Sequence, residues 1–202
     1  MQLISQGAEA KLFKTEYLGN AVIVKERQPK KYRNPKLDSR IIAERTKTEC
    51  SLIRAAQKAG IRTPLILKAE PKENKIWFEF IEGKSLKKTL SEKTKAKKFC
   101  EEAGKIVAKL HSAGIIHGDL TTSNIMLHNE GLVLLDFGLG KHAQKMEDYA
   151  VDLLVFKKTF MATHFEIPAA WKALENAYIK AFSQGNAVLS QIQKIEARAR
   201  YY

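Results

Sequence analysis

Two short segments place oxygen ligands and a proton acceptor close together in a pattern that suits phosphoryl transfer. In the stretch 115–125, IIHGDLTTSNI, Asp119 and Asn124 stand five positions apart on a polar loop that follows an apolar pair. In LLDFG, Asp136 closes a second apolar run. The carboxylate of Asp136 and the amide oxygen of Asn124 are hard donors, the kind Mg²⁺ takes together with nucleotide phosphates. Asp119 is then left to accept a proton or to position a nucleophile.

Residues so far apart in sequence need a fold to bring them together. The first eighty residues read mainly as strands, at 3–4, 11–17, 21–25, 65–69 and 76–80, broken at Gly7, at Gly19-Asn20 and at 72–74. One helix interrupts them. It is expected to start at Ser39 as N-cap and to carry Ile42, Leu52, Ile53 and Ala56 on its apolar face until Gly60, with Pro64 forbidding continuation. After Glu82-Gly83 the pattern turns helical. Ser85 is placed to cap a short helix, and Phe99, Ala103, Ile106, Val107 and Leu110 mark one face of a longer one that stops at Gly114. Two short strands, 124–127 and 132–135, flank the turn 128–131. Further helices are expected at 149–161, from Pro168, and from about 188 to 198. The class is α+β, with a strand-rich lobe at 1–81, a hinge near 80–83 and a helical lobe at 82–202. The cleft between such lobes is the expected ligand site.

Composition sets the outer limits. A chain of 202 residues with 45% hydrophobic content can bury a core without metal or disulfide staples, and it is neither disordered nor membranous in character. Lys and Arg number 35 against 22 Asp and Glu, a formal charge of +13 that favours anionic partners. Cys50 and Cys100 lack metal-ligand spacing and read as reduced core thiols. No run approaches the roughly 18 apolar residues of a membrane span, and the start, MQLISQGAEAKLF, lacks the basic and apolar regions of a secretory signal. A cytoplasmic protein without membrane contact is the expectation.

H-G-D-x-x-x-x-N followed by D-F-G resembles the catalytic core of the protein-kinase-like superfamily. The resemblance implies ATP and Mg²⁺ as cofactors. It places Lys25, at the end of Ala21-Val22-Ile23-Val24-Lys25, against the nucleotide phosphates. Glu49 is its expected ion-pair partner, preferred to Glu44 because it lies on the helix side of Leu52 and Ile53. The loop Gln6, Gly7, Ala8, Glu9, Ala10 stands where the superfamily has its glycine-rich turn, with backbone N–H groups for phosphate. Backbone groups of Glu79 and Ile81 are expected at the adenine edge. By the same analogy His117 fixes the loop, and Asp152 accepts hydrogen bonds from its backbone. Asp119 is a catalytic base toward a hydroxyl in a kinase, or orients water in an ATPase.

Only 139–145 separate Gly138 from the apolar helix at Met146, so no full activation segment or peptide-docking platform fits. Q-G-A-E-A at 6–10, R-Q-P-K-K-Y-R-N-P-K-L-D at 27–38 and E-R-T-K-T-E at 44–49 closely resemble the small kinase-like subunit of the KEOPS complex. That resemblance implies a minimal two-lobed atypical Ser/Thr kinase or ATPase. Its activity would support formation of threonylcarbamoyladenosine in the anticodon loop of tRNA. It also implies three partners: the catalytic subunit that modifies tRNA, a small helical regulatory subunit, and tRNA itself, reached through basic surface and the C-terminal tail. The tail at 195–202, IEARARYY, is less basic than the family's ending. Two readings of other classes stay open: a partner- and tRNA-binding scaffold with vestigial catalysis, and a small-molecule kinase. The basic stretches 25–40 and 84–98 read equally well as solvated faces or as contacts to an RNA backbone.

Overall fold

The computed structural model describes residues 1–7, 9–30, 32–93, 95–129 and 131–198. Strands β1 (Gln2–Gln6), β2 (Ala10–Tyr17) and β3 (Asn20–Arg27) run as an antiparallel meander. After helix α1 (Pro35–Lys58), strands β4 (Ile66–Glu70) and β5 (Lys75–Glu79) complete a five-stranded sheet in the order β1-β2-β3-β5-β4. Strand β3 is therefore central. Its Val22 and Val24 are fully buried on one face, and Ile23, Lys25 and Arg27 alternate onto the other.

Helix α1 begins earlier than the expected Ser39. Asn34 is the cap, its side chain accepting from the N–H groups of Lys36 at 3.0 Å and Leu37 at 3.5 Å, and Pro35 takes the first helical position. An Asn-Pro pair is a stronger start signal than an isolated serine, because proline needs no N–H partner there. Ser39 is the fifth residue of the helix, where its hydroxyl donates back to Pro35 C=O at 2.9 Å. The buried face of α1 carries Asp38, Ile42, Thr46, Glu49, Leu52, Ile53 and Ala56.

A two-residue strand β6 (Lys84–Ser85) leads into α2 (Leu86–Ser91), capped by Ser85, and then α3 (Ala96–Ser112). Strand β7 (Ile115–Ile116), the hairpin β8 (Ile125–His128) and β9 (Gly131–Leu134), and β10 (Lys141–His142) follow. β10 pairs with β7, and β6 with β8, which ties the loop 117–124 down at both ends. Helices α4 (Met146–Thr163), α5 (Pro168–Ala181) and α6 (Gly185–Arg198) complete the described chain. α3 and α5 cross closely at Gly104, where a Cβ would lie 2.2 Å from Leu174 C=O. Phe156, Phe160 and Trp171 fill the space between α4 and α5, with ring centroids 5.6 Å apart for Phe156 and Trp171. Cys50 and Cys100 are both buried and free, and burial pushes the Cys100 thiol up to about 12.

Candidate active site

The central position of β3 and the buried face of α1 bring Lys25 and Glu49 together. Lys25 Nζ lies 2.7 Å from Glu49 Oε1 and 2.7 Å from Asp136 Oδ1. Burial alone would push the lysine down, but the two carboxylates, Glu49 first, hold its ammonium above the usual value. Glu44, the other acid considered on this helix, is exposed and pairs with Arg40 at 3.0 Å. The second Glu49 oxygen is held by Arg27, whose NH2 is 2.5 Å from Oε2. From sequence Arg27 enters only as the first residue of the family-like stretch 27–38 and as part of the basic stretch 25–40. The missed signal is its two-residue offset from Lys25, which on a strand puts both side chains on one face.

Asp136 sits in the left-handed region at φ 56°, and its Oδ1 accepts from Gly138 N–H at 3.0 Å as well as from Lys25. Burial pushes its carboxyl up, but Lys25 more than reverses this and keeps it below the usual range. The side chain remains 49% exposed, open to the cleft. Gly138 lets the charged side-chain ends crowd its Cα. A Cβ there would come 2.9 Å from Asp136 Oδ1, 3.1 Å from Lys25 Nζ and 3.2 Å from Arg27 NH2.

The loop 117–124 is built from underneath. Asp152 on α4 is buried and accepts from His117 N–H and Gly118 N–H, each at 2.8 Å. Its Oδ2 also lies 3.2 Å from His111 Nε2, and His111 Nδ1 lies 2.7 Å from the Tyr178 hydroxyl. His111 and Tyr178 carried no motif and were missed. Gly118 adopts φ 79°, and a Cβ there would stand 2.2 Å from Leu139 C=O, so glycine is required on both counts. His117 Nε2 lies 2.7 Å from Leu135 C=O and its Nδ1 accepts Asp119 N–H at 3.3 Å. Both ring nitrogens are thus engaged, which fixes the loop. Asn124 Nδ2 donates to the carbonyl and to Oδ2 of Asp119, both at 2.9 Å. Leu135 N–H donates to Asn124 C=O at 2.8 Å, which sets Asn124 beside the residue that precedes Asp136.

Lys25, Glu49, Asn124 and Asp136 line one cleft of about 320 Å³ together with Glu79, Phe80 and Ile81. Ile23, Phe78, Met126 and Leu135 supply apolar wall. The Glu79 carboxylate turns to Arg62 and to Leu65 N–H at 3.0 Å, and Glu79 N–H donates to Leu65 C=O at 2.9 Å. What this segment offers a ligand is therefore main chain.

In the 6–10 loop, Gly7 N–H is taken by Ala10 C=O at 2.9 Å, so it is turned inward instead of toward a phosphate. Gln6 pairs with Lys11 in the β1–β2 register, and Gln28 N–H donates to Glu9 C=O at 3.0 Å. The Glu9 carboxylate is bonded by Arg45 NH1 at 3.0 and 3.1 Å and lies 3.6 Å from Arg27 NH1. Ala8 lies outside the described residues, as do 199–202 of the tail. Part of the basic stretch 25–40 is folded onto buried Asp38, which accepts Lys30 N–H at 2.8 Å and pairs with Arg33 at 3.2 Å.

The donor set suits a nucleotide with a divalent cation. Among the described residues no cluster of three or more His, Cys, Asp or Glu could hold a metal alone. Asp136 and the Asn124 amide oxygen supply two hard ligands, and Mg²⁺ commonly completes its shell with phosphate oxygens and water.

A family model described as protein kinase domain matches residues 2–167. Among curated proteins, the "Probable bifunctional tRNA threonylcarbamoyladenosine biosynthesis protein" of Methanosarcina mazei is 41% identical over 99% of this chain and 36% of its own length. Proteins of the same name are 40% identical over 98% of the chain in Methanobrevibacter smithii and 34% over 98% in Methanothermobacter thermautotrophicus, again across 36% of the relative. The chain thus spans about a third of the length of these relatives.

Proposed function

The chain belongs to the protein kinase domain family, and from that premise we propose that it is an ATP-hydrolysing, atypical Ser/Thr kinase subunit of the KEOPS type. In this reading it supports threonylcarbamoyladenosine formation in the anticodon loop of tRNA. The observation that carries the enzymatic part is Lys25 Nζ at 2.7 Å from both Glu49 and Asp136, on a cleft that also receives Asn124. Residues 1–81 act as the nucleotide lobe and 82–202 carry the catalytic loop. Main chain at Glu79 and Ile81 meets the base, and the 6–10 loop, from Gln6 to Ala10, covers the phosphates.

Bound ATP supplies the γ-phosphoryl group, and Mg²⁺ neutralises charge on its oxygens. Asn124 and Asp136 are the residues that would hold the ion. Lys25, held by Glu49, places an ammonium on the phosphates. Asp119, oriented by Asn124, accepts a proton from a hydroxyl acceptor, or orients water so that the products are ADP and phosphate. The names of the relatives support the tRNA role. Partners in this reading are the tRNA-modifying catalytic subunit, a small helical regulatory subunit and tRNA. The location is cytoplasmic, and no described helix is long and apolar enough to cross a membrane.

Purified protein with ATP and Mg²⁺ is expected to release phosphate or label itself, and Asp136→Ala is expected to abolish both. Full activity in that variant would overturn the metal assignment. One feature favours a scaffold as the second reading: α4 begins at Met146, eight residues after Gly138, leaving no peptide platform. Restoration of tRNA modification by Lys25→Ala in the reconstituted complex would favour it.

A further inference from the structure

Glu49 is 1% exposed, and each of its oxygens has a cation of its own: Lys25 on Oε1 at 2.7 Å and Arg27 on Oε2 at 2.5 Å. Arg27 is itself 4% exposed, and its Nε is buried without a hydrogen-bond partner. A buried guanidinium with an unsatisfied nitrogen is an expensive group to keep if packing were its only purpose. We propose that Arg27 is the standing counter-ion of Glu49, a positioning residue that keeps the buried carboxylate charged and oriented while the Lys25 ammonium is shared between Glu49 and a nucleotide phosphate. The inference rests on the functional reading above, which brings Lys25 to phosphate.

With Lys25 as its only partner, Glu49 would resist any lengthening of their contact, because stranding one member of a buried pair is far costlier than the pair is stabilising. The nucleotide would then have to compete with Glu49 for the lysine. A guanidinium on the opposite oxygen keeps the carboxylate charged, oriented and hydrogen-bonded while Lys25 is shared. Arginine suits the task because it stays protonated and its fork fixes direction, whereas an ammonium is a point charge on a flexible stem. The alternation Arg27, Glu49, Lys25, Asp136 also explains how two buried cations sit side by side on β3. Each is separated from the other by a carboxylate, and Arg27 has a further acid, Glu9, at 3.6 Å.

The test measures equilibrium binding of a non-hydrolysable ATP analogue with Mg²⁺, apo melting temperature and kcat. The proteins are wild type, Arg27→Met, Arg27→Lys, Glu49→Gln and the Glu49→Gln/Arg27→Met double variant. Arg27→Met keeps the Lys25–Glu49 pair and is expected to fold, yet to bind the analogue about tenfold more weakly, with Arg27→Lys, which restores the charge without the fork, recovering only part of the loss. In the Glu49→Gln background there is no buried carboxylate to strand when Lys25 engages phosphate, so adding Arg27→Met should change affinity by less than about twofold. This double variant also removes the charge that could impair folding. Equal losses in both backgrounds, or wild-type affinity in Arg27→Met, would overturn the inference while leaving the functional reading intact. A wild-type chain that binds no nucleotide overturns both.

Discussion

The loop 117–124, whose Ser123 and Asn124 line the cleft, and the loop 6–10, which lies between the cleft residues Ile4 and Leu12, are held by opposite means. Beneath the first, Asp152 is 2% exposed and takes two backbone N–H groups at 2.8 Å, with His111 at 3.2 Å behind it. His164, also buried, lies 3.0 Å from the Thr122 hydroxyl and adds a second anchor from the end of α4; burial, then Lys87, pushes its pKa down and keeps it neutral. The second loop is held by Glu9 and Arg45, whose side chains are 42% and 40% exposed. Every residue of β1 before it is exposed. The side-chain ties of the loop 117–124 are buried, satisfied hydrogen bonds, whereas the short side-chain tie of the loop 6–10 is a half-exposed ion pair that water can replace.

The strongest way to break this contrast is Asp152→Ala. It strands three donors in a dry site, a loss of roughly 3–5 kcal/mol, and for a chain of this size should lower the melting temperature by about 6–20 °C. Thermal unfolding followed by circular dichroism checks it. A shift of a degree or two would mean that the loop 117–124 is held elsewhere.

A pair of glycines sharpens the contrast at the backbone. Gly118→Ala meets both a positive φ of 79° and a carbonyl 2.2 Å from the new Cβ, whereas Gly19→Ala meets a φ of 75° with nothing within 4 Å. The second change costs about 1 kcal/mol for its left-handed backbone alone. The first must cost more, and it must also displace Asp119, so phosphate release should fall in Gly118→Ala and persist in Gly19→Ala. Equal melting temperatures and equal activities in the two variants would show that the approach of Leu139 to Gly118 carries no constraint.

The same contrast explains what the sequence made legible. That Asn124 and Asp136 meet on one cleft, with Asp119 bonded to Asn124, could be anticipated because the two segments carry fixed residue types at short spacing, and β3 because Val22 and Val24 alternate with the residues of the cleft face. The start of α1 was missed because Ser39 satisfies a cap rule locally, while the better cap, Asn34-Pro35, lay inside a run dominated by charge. Arg27 was missed for the same reason. His111, Tyr178 and the inward turn of Gly7 N–H depend on contacts between elements distant in sequence, and no local pattern encodes them. Glu9 was read as part of a phosphate loop, yet its carboxylate is engaged by Arg45 and Arg27.

Glu9 therefore gives the smallest and most discriminating effect. Glu9→Gln keeps the shape of the side chain and removes its charge, so both arginines lose an anionic partner while the loop backbone, tied through Gly7 to Ala10 and Gln28 to Glu9, is untouched. Because the Glu9–Arg45 pair is partly exposed, the stability loss should stay below about 1 kcal/mol, and added salt should narrow it further by screening the wild-type pair. A loss as large as that of Asp152→Ala, or one insensitive to salt, would mean that the 6–10 loop is anchored as firmly as the loop across the cleft. The difference in how the two are fastened would then have no energetic content.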